Sequence, residues 1–151
     1  LYDLPELPEH LVVVGSGVTG AEFVSAYVEI GVRVTLVSSR DRVLPGEDAD
    51  ASAVLQDVFA ERGVEILGQA RADSVRRSPD GDGVVVTLAD GRTVTGSHAL
   101  MTVGSVPNTA DLGLEKIGLE TGRGGFIPVD RVSRTSVPGV YAAGDCTGLL
   151  M

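Results

Sequence analysis

Residues 11–20 read LVVVGSGVTG: four consecutive apolar residues, Leu11 to Val14, run straight into glycines at 15, 17 and 20. An apolar run of this length closed by glycine is the pattern of a strand buried on both faces of a parallel sheet. Parallel strands need a crossover, usually helical. From Val18 to Ile30 the pattern is helical: Ala21, Val24 and Val28 share one face, Phe23, Tyr27 and Ile30 share another, and Gly31 stops the run. VRVTLV then alternates and is rich in β-branched residues, as a second strand is. A compact β-α-β unit results.

Gly15, Gly17 and Gly20 stand at G-x-G-x-x-G spacing between that strand and that helix. The three glycines have separate tasks: a tight turn, room for a diphosphate to touch backbone, and close helix–sheet contact. The amides of Gly15, Ser16, Gly17, Val18, Thr19 and Gly20 are expected to converge on the diphosphate of a dinucleotide, NAD(P)H, helped by the helix dipole. The same loop type also occurs in S-adenosylmethionine-dependent methyltransferases, and a non-catalytic NAD(P)H-sensing module would carry the same fingerprint. NAD sites place an acidic residue at the end of the second strand for the ribose hydroxyls. Here that region reads Ser38, Ser39, Arg40, Asp41, Arg42. Serine hydroxyls and a guanidinium can bind a 2′-phosphate that a carboxylate would repel, so NADPH is favoured or at least tolerated. The alternative is that both arginines are solvated charges for which Asp41 competes.

Further along, GEDADASAVLQDVFAERG reads as a second helix with acids at its start, a stripe of Val54, Leu55, Val58 and Phe59, and Gly63 as its end. VEIL gives a third short strand. Between about residues 70 and 95 the period changes to two, and Asp-Gly pairs at 80–81 and 90–91 mark tight turns of an antiparallel meander. HALMTVG returns as a buried strand. The expected fold is α/β: a doubly wound, Rossmann-like parallel sheet from about Glu9 to Gly104 with the meander as its crossover. Residues 1–108 form one domain. From 109 to 151 the βα rhythm is lost, and this segment is expected to belong with a neighbouring domain.

A net charge of −9 repels nucleic acid, so phosphate must be held by local features. Apolar residues make up 43%, yet no run approaches the roughly 18 residues of a membrane span. LYDLPELPEH lacks the profile of a signal peptide, so a cytoplasmic setting is expected. The single cysteine, Cys146, excludes an internal disulfide and reads as packing after a strand. His10 and His98 have no partner at metal spacing and read as structural or solvent-facing.

Taken in order, VVVGSGVTGAEF, VTLVSSRDRVLPGEDAD, VGSVPNT and TSVPGVYAAGD resemble the FAD-dependent pyridine nucleotide-disulfide oxidoreductases, which include dihydrolipoamide dehydrogenase and glutathione reductase. The resemblance covers nearly the whole chain, and within the family it is nearest to the mycobacterial type of NAD(P)H quinone reductase. It implies a fragment of a larger flavoprotein with two dinucleotide-binding domains, the parent a homodimer, in which NAD(P)H delivers hydride to FAD and a quinone or disulfide is the final acceptor. It also implies that Glu22 orients the nicotinamide carboxamide or a nearby lysine, unless it is an ordinary first-turn acid. Gly104 would lie where the chain approaches the nicotinamide. Gly144 and Asp145 would meet the FAD ribityl chain, so that GVYAAGD is one wall of a site completed by other sequence. Two departures stand out: Ser38 where many relatives have glutamate, and Gly104-Ser105 where they have Gly-Arg.

Overall fold

The computed structural model describes residues 4–149 and divides the chain into two compact units, Leu1–Gly104 and Ser105–Met151. The division falls ahead of the expected 108/109 boundary, because Pro107 and Thr109 already bond to or pack on Gly125. Residues 1–3 and 150–151, the outer ends of both expected segments, lie outside the described residues.

The first unit runs β1 (His10–Val14), α1 (Val18–Glu29), β2 (Arg33–Val37), α2 (Ala49–Glu61), β3 (Glu65–Leu67), β4 (Ala72–Arg77), β5 (Val84–Leu88), β6 (Thr93–Gly96) and β7 (His98–Met101). β3, β2, β1 and β7 form a parallel sheet in that order. Val12 lies between Thr35 on one side and Ala99 on the other. The chain leaves β1 toward β2 and β3, then crosses to the opposite side of β1 as β7. Ligands of open α/β sheets bind at such a reversal, outside the carboxyl ends of the strands. β4, β5 and β6 form the expected antiparallel meander.

The meander, and not a second set of helices, covers one face of the parallel sheet. Leu11, Val13, Val34 and Leu36 pack with Ala21 and Val24 of α1 and Phe59 of α2. Val12, Val14 and Val37 on the opposite face pack with Ala70, Val86 and Leu88. The layers are therefore helix, parallel sheet and antiparallel sheet, which corrects the doubly wound expectation. Alternation along each strand sends consecutive valines to different layers, which is why β1 is apolar throughout.

Other expectations change in detail. Asp48 caps α2 by accepting from the amides of Asp50 and Ala51 at 3.0 and 3.1 Å. The buried side of α2 is Ser52 and Phe59, with Leu55 half-buried between them, whereas Val54 is 64% exposed. Ser52 belongs inside because its hydroxyl donates to the Leu44 carbonyl at 3.1 Å. Ile30 is exposed past the end of α1. The Asp80-Gly81 pair sits in a wider loop, closed by Ser78 N donating to Gly83 O at 3.0 Å, and not in a two-residue turn. β7 is half-buried because it pairs on one side only, with β1, and Val103 beyond it is 72% exposed.

In the second unit, three short 3-10 turns, Leu114–Ile117, Arg123–Gly125 and Asp145–Thr147, are joined by irregular chain. The expected strand in GVYAAGD reduces to one isolated bridge, Arg134 to Tyr141, and Tyr141 is exposed. Cys146 is half-buried, and its thiol donates to the Ala143 carbonyl at 3.4 Å. No described helix is long and apolar enough to cross a membrane.

Candidate functional site

The glycine loop lies at the carboxyl end of β1, and each of its glycines meets a different constraint. Gly15 has φ +113°, and a Cβ there would lie 2.2 Å from the Thr102 carbonyl oxygen. A Cβ on Gly20 would lie 2.0 Å from the Gly15 carbonyl oxygen, so α1 rests against its own entry turn. Gly17 differs from both: its φ of −71° suits any residue, and a Cβ there would meet nothing within 4 Å. Nothing in the described residues requires glycine at 17, and the space it leaves is open.

Gly17 is the N-cap of α1 with no side-chain cap, and the first helical bond runs from the Ala21 amide to the Gly17 carbonyl at 2.9 Å. Among the described residues no acceptor meets the amides of Gly17, Val18, Thr19 or Gly20. Helix N-termini leave such donors for anions. The Gly15 amide is not one of them, since it donates to the Val37 carbonyl at 2.9 Å. The Ser16 amide, like those of residues 17–20, meets no acceptor among the described residues, so of the expected set from 15 to 20 only the Gly15 amide is engaged. An uncapped amide cluster beside an open backbone fits a diphosphate.

Thr102 supports this turn and was missed by sequence reasoning. Its hydroxyl is 3.0 Å from both the Val14 and the Gly15 carbonyl oxygens. Its only sequence signal is a polar residue ending the apolar run HALM, one that periodicity does not distinguish from a strand terminus.

The segment after β2 divides its expected ligand groups into inner and outer ones. Ser38 is 1% exposed, and its oxygen lies 2.7 Å from the oxygen of Ser16, itself 5% exposed. The Arg40 amide donates to Ser38 Oγ at 3.1 Å. The Ser38 hydroxyl is therefore engaged inward. Ser39 and Arg40 are exposed. Arg40 makes no ion pair among the described residues, so Asp41 does not occupy it. Arg42 instead closes its own loop, with Nη2 donating to the carbonyls of Pro45 at 3.2 Å and Glu47 at 3.4 Å.

Glu22 is exposed on the first turns of α1, at the rim of a groove of about 540 Å³. The groove is lined mainly by apolar groups, among them Val18, Ala21, Leu44, Leu55 and Phe59. A second cavity, about 720 Å³, opens at the opposite end of the strands, beside His10, Arg33, Ser97 and His98. It is away from the glycine loop. His10 Nε2 lies 2.8 Å from the Thr35 hydroxyl, which donates to Glu65 at 3.0 Å, so the imidazole is the donor of that pair. Burial, then the Arg33 charge, lower the His10 pKa below its ordinary value, against an opposing pull from Glu65. His98 Nδ1 lies 3.1 Å from the Ser97 hydroxyl. No group of three histidine, cysteine or acidic residues among the described residues could hold a metal ion.

Gly104, at φ +115°, is exposed where the chain leaves the first unit. In the second unit, Gly144 adopts φ +84° and ψ −162°, a conformation open essentially to glycine alone. Asp145 follows it with an exposed carboxylate that has no partner among the described residues.

Residues 2–151 match the family described as pyridine nucleotide-disulphide oxidoreductase. The chain is 67% identical over 150 residues to the NAD(P)H dehydrogenase (quinone) of Mycobacterium tuberculosis, which covers 99% of this chain and 30% of that protein. It is 40% identical to a dihydrolipoyl dehydrogenase of Zymomonas mobilis, across 95% of this chain and 31% of the other. The crystal structure of LpdA from Mycobacterium tuberculosis superposes with a TM-score of 0.91 at 67% identity, covering 99% of this chain and 32% of that one. The chain thus spans about a third of the length of these proteins.

Proposed function

The chain belongs to the pyridine nucleotide-disulphide oxidoreductase family, and from that membership we propose that its first unit holds NAD(P)H within a larger FAD-dependent oxidoreductase. The observation that carries this reading is the set of amides at residues 17–20, free of acceptors among the described residues beside the open space at Gly17. Those amides hold the diphosphate. Ser39 and Arg40 take the adenosine ribose and its 2′-substituent, and Glu22 orients the carboxamide of the nicotinamide near Gly104. The second unit is a return segment of the FAD domain, in which Gly144 lets backbone approach the ribityl chain and Asp145 accepts its hydroxyl. When bound, the reduced nicotinamide supplies a hydride and FAD receives it. This chain's own contribution is orientation, which converts an encounter into a fixed geometry.

The name of the Mycobacterium tuberculosis relative supports a quinone as the final acceptor, with a disulfide as the family's other choice. We place the whole protein in the cytoplasm as a homodimer. Titration calorimetry with NADPH and NADH tests the core of the proposal. The full chain should bind nucleotide while showing no reductase turnover by itself, and Arg40→Ala should weaken NADPH more than NADH. A folded chain, checked by circular dichroism, that gives no heat with either coenzyme refutes it.

A further inference from the structure

Ser16 and Ser38 lie on the two segments that, on the reading above, hold the diphosphate and the adenosine ribose of the coenzyme, and their hydroxyls join them. Ser16 belongs to the glycine loop, and Ser38 ends β2. Ser16 Oγ also donates to the Arg42 carbonyl at 3.3 Å, and Ser38 Oγ to the Arg40 carbonyl at 3.1 Å. The two hydroxyl protons are thus shared among three contacts, so when one serine donates to the other only its partner donates to a carbonyl. The backbone repeats the link, since the Leu44 amide donates to the Ser16 carbonyl at 2.8 Å.

Arg40 is the residue this arrangement holds. Its amide donates to Ser38 Oγ at 3.1 Å, and its carbonyl accepts from the Gln69 amide at 2.8 Å as well as from Ser38. Both backbone polar groups are thus fixed while the guanidinium stays exposed and without an ion pair among the described residues. Burying two hydroxyls is costly unless each is hydrogen-bonded, and two apolar residues would fill the same volume without that demand. What the serines add is a fixed relation between residue 16 and residue 40, with no negative charge at the end of β2.

We propose that the Ser16–Ser38 hydroxyl pair is a positioning device for coenzyme selection. It registers the Arg40 backbone against the glycine loop, so that a nucleotide held by its diphosphate at residues 17–20 presents its 2′-position to the guanidinium. The inference rests on the nucleotide-binding reading above and names the residues that set its selectivity.

The test is calorimetric titration of the full chain with NADPH and with NADH, for wild type, Ser16→Ala, Ser38→Ala, Ser38→Thr, Arg40→Ala and the Ser38→Ala/Arg40→Ala double variant. A charge-assisted hydrogen bond lost at Arg40→Ala should lower the NADPH-to-NADH affinity ratio by about tenfold to a hundredfold. Each serine-to-alanine change should lower that ratio by roughly threefold to tenfold, part of the same effect, and Ser38→Thr, which keeps the hydroxyl, should recover it. The double variant should lie no lower than Arg40→Ala alone, because the pair acts through the arginine. A purely structural role would reduce both affinities together and leave the ratio unchanged, which overturns the proposal. So would multiplying, independent effects in the double variant, or a ratio indifferent to Arg40→Ala. If Ser38→Ala fails to fold, Ser16→Ala decides by the same criteria. A folded wild type that binds neither coenzyme refutes the nucleotide site itself, whereas binding of both with unmoved ratios refutes only the role of the pair.

Discussion

Replacing Gly20 by alanine would put a methyl carbon 2.0 Å from the Gly15 carbonyl oxygen and 2.9 Å from the Thr102 hydroxyl oxygen. Cβ atoms essentially never approach backbone oxygen closer than 3.0 Å, so α1 would have to retreat from the turn by about 1 Å. Neither obstacle is the end of a flexible side chain. The Gly15 carbonyl is held by the Thr102 hydroxyl, and Gly15 itself is tied to Val37. A shift of that size in an interior packed at crystal density separates Ala21 and Val24 from β1 and β2, and overpacking of this kind costs about 3 kcal/mol. In a unit of about a hundred residues, Leu1–Gly104, that corresponds to a fall in Tm of roughly 12–24 °C. Gly17→Ala is the control: its methyl group enters open space at a permitted φ, and alanine as a poorer N-cap than glycine costs no more than about 1 kcal/mol. Its effect should appear in binding. A methyl between backbone and diphosphate removes charge-assisted contacts, and affinity for NADPH should fall about tenfold to a hundredfold. Thermal unfolding followed by circular dichroism and calorimetric titration separate the two. If Gly17→Ala binds NADPH as wild type does, or Gly20→Ala keeps the wild-type Tm, the division of tasks among the three glycines is wrong.

Three further outcomes follow from the packing. Gly96→Ala sets a Cβ 2.8 Å from a Val12 methyl and 2.9 Å from the His10 carbonyl oxygen, so Tm should fall while nucleotide affinity holds. Asp48→Ala removes the cap of α2 and should cost about 1 kcal/mol in urea unfolding, with Asp48→Asn retaining most of it. His10 supplies a pH dependence with a definite sign. Its folded pKa lies below the ordinary 6.5, so the unfolded chain binds the proton more readily. The stabilising effect of keeping this imidazole neutral is full above pH 6.5 and is lost as pH falls from there toward the folded value. Urea unfolding at pH 7.5 and 5.5 should show this loss, and His10→Gln should reduce it.

The β-α-β unit and the glycine spacing were legible because their signals are local. Four apolar residues into a glycine, a helical period from Val18 and a β-branched alternation each complete themselves within a dozen or so residues. The meander was legible for the same reason. Its position was not: that β4, β5 and β6 cover Val12, Val14 and Val37 in place of helices depends on pairings distant in sequence. Val54 shows the limit on a smaller scale. It falls within an apolar stretch, but the side of α2 that turns inward is chosen by Ser52 bonding to Leu44 and by Phe59 filling the core.

At the candidate site the same division holds. The sequence by itself determined that a strand, a glycine turn and a helix follow one another, and hence that amides would stand uncapped at the carboxyl end of a strand. Only the tertiary structure decided which glycine guards open space, that Thr102 comes back across the sheet to hold the turn, and that Ser38 faces inward to Ser16 while Arg40 stays outside. The physical reason is range: torsional preference and hydrophobic period act between chain neighbours. Close approaches and shared hydroxyl protons depend instead on segments such as 14–20, 38–44 and 102, which meet only once the sheet has assembled.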